Sequence, residues 1–226
     1  MIGYVALFFS QLSRESLLHR RQPRLLLNSC LFFLMIVTFF PLTMSPDKAL
    51  LHTMAPGIIW IALLLAFFLS SEWLFQQDYD DGVIEQWITS GYPLSLLVSA
   101  KITTHWVATI VPFLFFSPFM AILFKLSPYE TASLVISILC GTPALFGICA
   151  LAAAFGTGLQ QKGMLMALIL LPLTIPVMIF GSGMLDAAMT GLPLNGYIAL
   201  LLAMSVAAFG LLPPTIAGVI RVGLGG

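Results

Sequence analysis

Apolar residues fill this chain in long runs instead of alternating with polar ones, and the stretch from Ile58 to Leu69 has no polar position at all. A strand of a membrane barrel would show about ten residues of alternating character, so these runs predict helices. Stretches at 25–45, 54–74, 97–124, 131–158, 163–182 and 197–219 each reach the length of about twenty residues that crosses a bilayer. The third and fourth are long enough to tilt, bend or break, and Pro112, Pro118 and Pro143 mark the places. Pro172, Pro176, Gly181 and Gly183 predict a kinked fifth span, and Pro213 with Pro214 a kinked sixth.

Ahead of the first span, Val5, Phe8, Phe9, Leu12 and Ser16 share one helical face, with Gln11, Arg14, Glu15 and His19 mostly elsewhere. That pattern predicts an interfacial helix within residues 1–24. Its basic residues follow the apolar stretch, whereas a cleavable signal peptide carries them first, so the segment is expected to stay on the mature protein. Arg20, Arg21 and Arg24 flank Pro23 and predict a turn into the bilayer with guanidinium groups among the lipid phosphates. In the fourth span Ala150, Ala154 and Gly158 recur at every fourth residue beside Gly147 and Gly156, a stripe that lets another helix approach closely. Pattern alone leaves open whether that helix belongs to this chain or to a second copy.

Composition agrees with the bilayer as solvent. Of 226 residues, 60% are hydrophobic and 8% charged, and nine basic plus nine acidic side chains cannot build a polar shell around a soluble core of this length. The formal net charge of zero supplies no field that would attract nucleic acid. Cys30, Cys140 and Cys149 stand singly within apolar runs, without Cys-x-x-Cys or Cys-x-x-Cys-His spacing, and read as small packing residues with no metal site and no covalent haem. Lysine and arginine set the orientation. Arg14, Arg20, Arg21, Arg24, Lys101, Lys162 and Arg221 fall on one side and only Lys48 and Lys125 on the other, which predicts both termini in the cytoplasm. The connections 46–53, 125–130 and 183–196 then face outward, all too short for an extramembrane domain.

The stretch Glu72 to Pro93 holds five of the nine acidic residues on the cytoplasmic side of that topology. Asp80 or Asp81 is expected to cap a helix whose first turn carries Gly82 and Glu85, with acidic charge at the positive end of the helix dipole. Val83, Ile84, Trp87 and Ile88 form its apolar face, Gly91 ends it and Pro93 opens the next span. Such a helix at 76–92 suits the docking of a soluble partner, though an interfacial connector has the same pattern. Beyond it Lys101 and His105 share one face near the membrane border. Lys101 is expected to snorkel to the headgroups; His105, a turn deeper, is either a hydrogen-bonded structural histidine or a polar site for a haem propionate or companion subunit. His19 and His52 are placed near opposite faces, too far apart to ligate one haem.

The run Phe75-Gln76-Gln77-Asp78-Tyr79-Asp80-Asp81-Gly82-Val83-Ile84-Glu85-Gln86, then Ser90-Gly91-Tyr92-Pro93-Leu94, Ala100-Lys101 and His105-Trp106, resembles the haem exporter B family, CcmB. The acidic-Gly-x-x-Glu core is similar to the wider ABC-2 exporters, where it forms the coupling helix between spans two and three. The resemblance implies an all-α polytopic fold of about six transmembrane helices, an ABC-2-type-like bundle, in the bacterial inner membrane. It also implies a transmembrane subunit, not itself an enzyme, of an ATP-driven haem export or haem-chaperone release complex for c-type cytochrome biogenesis. A separate soluble CcmA-like ATPase would use the ATP, with CcmC-like and CcmD-like membrane partners, a CcmE-like haem chaperone and a second copy of this chain around it. Haem would be the cargo of the complex, with no cofactor resident in this chain. Asp80, Asp81, Gly82, Glu85 and Trp87 would carry the ATPase coupling, and Arg20, Arg21, Arg24 and Lys101 would meet lipid.

The residues agree on the missing ATPase: Gly156-Thr157-Gly158-Leu159-Gln160-Gln161-Lys162-Gly163 has neither the spacing of a phosphate loop nor a hydroxyl after the lysine. The tryptophan-rich haem-handling motif of CcmC is missing too. Alternative readings are an ABC-2-type exporter subunit for another substrate, or a membrane scaffold or haem-handling subunit without transport.

Overall fold

The computed structural model describes residues 3–21, 24–43, 48–158 and 162–224, and the side chains of Arg20, Arg21 and Arg24 lie outside that description. The described residues form helices α1 (Tyr4–Arg21), α2 (Arg24–Thr43), α3 (Lys48–Ser71), α4 (Gln76–Asp80), α5 (Val83–Thr89), α6 (Leu94–Phe115), α7 (Ser117–Phe124), α8 (Pro128–Gly156), α9 (Lys162–Met189) and α10 (Asn195–Leu224). Six apolar helical stretches are long enough to span a membrane, in the order the hydropathy predicts. The expected break in the third falls at Phe116: Pro112 has no N–H to give the preceding turn, and Pro118 sits at the start of α7, where that loss is harmless. Helices α9 and α10 run on through Pro172, Pro176, Pro213 and Pro214.

Helix α8 is the centre of the bundle, packed on α3, α6, α9 and α10. Its small-residue stripe is used within the chain: Ala150 and Ala154 are buried, and the space beside Gly147 is filled by Leu212 of α10. Gly141 of α8 and Gly181 of α9 leave room for the fully buried indole of Trp60 from α3. A ring cluster of Phe33, Phe67, Phe113 and Phe146 joins α2, α3, α6 and α8, with centroids 4.7–5.6 Å apart. Between α6 and α8 the indole N–H of Trp106 donates to Thr142 Oγ1 at 3.1 Å.

Beside Pro143 a hydroxyl from α10 bonds to the backbone of α8. Ser205 of α10 accepts from the Ala144 N–H at 3.3 Å and donates to the Cys140 carbonyl at 2.5 Å, the two groups that would bond each other in an uninterrupted helix. One side chain thus serves two backbone groups next to the proline. Ser205→Ala should cost about 1 kcal/mol, one net hydrogen bond, read as a small drop in the thermal midpoint in detergent with the helical content unchanged.

The turn between α7 and α8 is closed by the left-handed Lys125 and by a capping box in which Ser127 and Glu130 each accept from the other's backbone N–H. His52 Nε2 reaches the same Glu130 carboxylate at 3.2 Å and ties α3 to α8 at this end of the bundle.

Candidate functional site

The opposite end of the bundle gathers the segment between α3 and α6 with the ends of α1, α8 and α10. The segment is two short helices instead of the one expected over 76–92, because Gly82 stands between them with φ 70°. That left-handed conformation is open to glycine at little cost and disfavoured for a side chain. Gly82 is the N-cap of α5 and neither aspartate caps it: Asp81 is the C-cap residue of α4, and Asp80 accepts from the Gln76 side-chain amide at 2.8 Å. Gln76 also accepts from the Gly158 N–H at 3.2 Å, and the Tyr79 ring lies against Gly158, so α4 is keyed to the end of α8. A groove of about 470 Å³ opens beside it between Tyr79, Ile84, Phe155, Val219 and Val222.

The two short helices have distinct faces. Asp80, Asp81 and Glu85 are exposed, whereas Ile84 and Trp87 are buried in the bundle. Trp87 was expected to meet a partner; at 6% exposure it faces inward, its ring centroid 5.9 Å from the ammonium of Lys101. Val83 and Ile88 flank this apolar face half-buried and exposed respectively.

Lys101 overturns its expected place among the headgroups. It is 7% exposed, and its Nζ lies 3.1 Å from Glu15 Oε2 of α1 and 2.6 Å from Asp78 Oδ2 of α4. An ammonium about two turns inside an apolar helix either snorkels or finds a counter-ion, and here two carboxylates stand within reach. Glu15, 1% exposed, also accepts from Gln11 Nε2 at 2.9 Å and lies 3.5 Å from Arg14 Nη1. The expected amphipathic helix is therefore present, but its polar positions Gln11, Glu15 and His19 turn toward α6 instead of water, and Tyr4, Val5, Phe9 and Leu17 point outward. The polar face is thus satisfied by protein, and the apolar face is left exposed.

His105 extends the cluster inward. His19 Nδ1 donates to the Glu15 carbonyl at 2.9 Å, so in the neutral ring its Nε2 is left to accept from His105 Nδ1, also 2.9 Å away. His105 Nε2 then accepts from the Ser70 hydroxyl at 2.6 Å, and its ring stacks on Phe146 at 5.3 Å. Both ring nitrogens of His105 are engaged within the chain. The separation of His19 from His52 holds, while the pairing of His19 with His105 has no counterpart in the sequence reading. A cavity of about 120 Å³ among Arg14, Glu15, Asp78, Asp81, Lys101 and His105 lies at the centre of these groups.

Comparison with known proteins gives the same result over nearly the whole length. The family model described as CcmB protein matches residues 6–223. Proteins named Heme exporter protein B are similar throughout. That of Pseudomonas aeruginosa is 41% identical over 95% of this chain and 96% of its own length, and that of Haemophilus influenzae 40% identical over 96% and 99%. That of Escherichia coli K12 is 39% identical over 87% and 90%.

Proposed function

The chain belongs to the CcmB family, and from that premise we propose that it is the transmembrane subunit of an ATP-driven haem export or haem-chaperone release complex for c-type cytochrome biogenesis. Its relatives carry the name Heme exporter protein B, which supports haem as the cargo of the complex. A CcmA-like ATPase supplies the energy, with CcmC-like and CcmD-like subunits and a CcmE-like chaperone as the further partners and a second copy of this chain beside it. The basic end of the bundle faces the cytoplasm of the bacterium, with both termini there, in keeping with the lysine and arginine distribution.

One observation carries the coupling role. The α4–α5 segment exposes Asp80, Asp81 and Glu85 while its other face, through Asp78, Ile84 and Trp87, is buried against spanning helices. A push on the exposed face is therefore delivered to the bundle and not absorbed by a slack loop. Coupling needs contacts that differ between two states, and three carboxylates on a short lever suit a basic cleft that opens and closes with nucleotide. The triple change Asp80→Asn, Asp81→Asn, Glu85→Gln should lower ATPase retention in pull-downs by about tenfold or more at low salt, with a smaller loss at high salt. It should also lower ATP-driven cytochrome c assembly while leaving membrane insertion intact. Wild-type retention by the triple variant would refute the docking face.

A further inference from the structure

Lys101 stands on α6 and touches three other elements: α1 through Glu15, α4 through Asp78 and α5 through Trp87. We propose that Lys101 is a positioning residue that latches the α4–α5 segment to the bundle, holding Asp78 and Trp87 in one state and staying paired with Glu15 when the segment moves. The inference rests on the coupling reading above and names the side chain that passes the movement inward.

Two carboxylates compensate the one ammonium. The Lys101 ammonium donates a hydrogen bond to Glu15 Oε2, and Gln11 fixes the other Glu15 oxygen, so α1 and α6 are joined directionally. Asp78 Oδ2 lies 2.6 Å from the same ammonium, the shorter of the two contacts. A buried ammonium with a single counter-ion could not let it go without being stranded. With two, Asp78 can withdraw while Glu15 keeps Lys101 compensated. Asp78 also has a second cation at hand, since half-exposed Arg14 lines the same cavity. Movement is provided for in the backbone too: α4 and α5 have five and seven residues and meet at the left-handed Gly82.

Amide hydrogen exchange over 76–90, on the intact chain in lipid nanodiscs with and without its ATPase, tests this. In the chain alone, Lys101→Met and Asp78→Asn should each speed exchange over 76–90 by about tenfold while α8 exchanges as in the wild type, and Lys101→Arg should restore protection. With the ATPase bound, wild-type exchange over 76–90 should differ between ATP and ADP, and Lys101→Met should lose that difference. Wild-type exchange in Lys101→Met, or failure of Lys101→Arg to restore protection, overturns the latch. If Lys101→Met does not fold, Asp78→Asn, which keeps the Glu15–Lys101 pair, decides by the same measure. If the wild type shows no nucleotide response, the coupling reading fails. Opening by Lys101→Met in the chain alone would then mark a static brace and overturn the latch separately.

Discussion

Gly181→Ala should cost about 3 kcal/mol, the upper part of the usual range for overpacking a core, and should visibly lower the thermal midpoint in detergent. A Cβ at this position would lie 2.1, 2.3 and 2.4 Å from three atoms of the Trp60 ring. The ring cannot step aside, because it is fully buried and a Cβ on Gly141, on another helix, would itself meet it at 2.7 Å. Trp60→Phe in the same chain should recover most of the loss by shrinking the ring. Gly210→Ala is the control: nothing lies within 4 Å of its Cβ, and alanine favours the helix. A wild-type midpoint for Gly181→Ala would mean that the indole does not fill this recess.

Removing Glu15 should have an effect of similar size with a different signature. Glu15→Ala leaves Lys101 with Asp78 alone and deprives Gln11 and Arg14 of their shared carboxylate. Lys101 keeps one counter-ion, so the cost is that of leaving buried groups short of a partner, about 1–3 kcal/mol. Because α1 is held to α6 through this face, the cost should appear as release of α1 and not as global unfolding. Limited proteolysis of the chain in nanodiscs should then cut within residues 4–21, with the six spans still protected. Equal protection of α1 in wild type and variant would show that its outer apolar face alone retains it.

The spans were legible because an apolar run of spanning length has few other uses, and the break near Phe116 because proline acts through its own missing N–H. Ser127-Pro128-Tyr129-Glu130 is equally local and can be read as a capping box without coordinates. The polar cluster is different, since Glu15 and Lys101 are 86 positions apart and nothing near either names the other. A signal existed nonetheless: Gln11, Glu15 and His19 repeat every fourth residue on one helix, and Lys101 and His105 do so on another. In a chain with so few charges, two such stripes near one membrane border have each other as the natural partners. The inward turn of Trp87 was unreadable because a tryptophan on an amphipathic helix anchors to lipid, partner or core by the same pattern. Gly181 was read as part of a kink in the fifth span, whereas what it provides is a recess, and a recess is defined only by what fills it.

The polar face of α1 has a consequence for the order in which the molecule is made. The segment carrying Glu15 leaves the ribosome early, but the ammonium it will clasp is encoded 86 codons later, after two spans have been threaded into the lipid. Until then the Glu15 carboxylate lacks its Lys101 partner. The docking of α1 against α6 therefore requires the third span to be in place first.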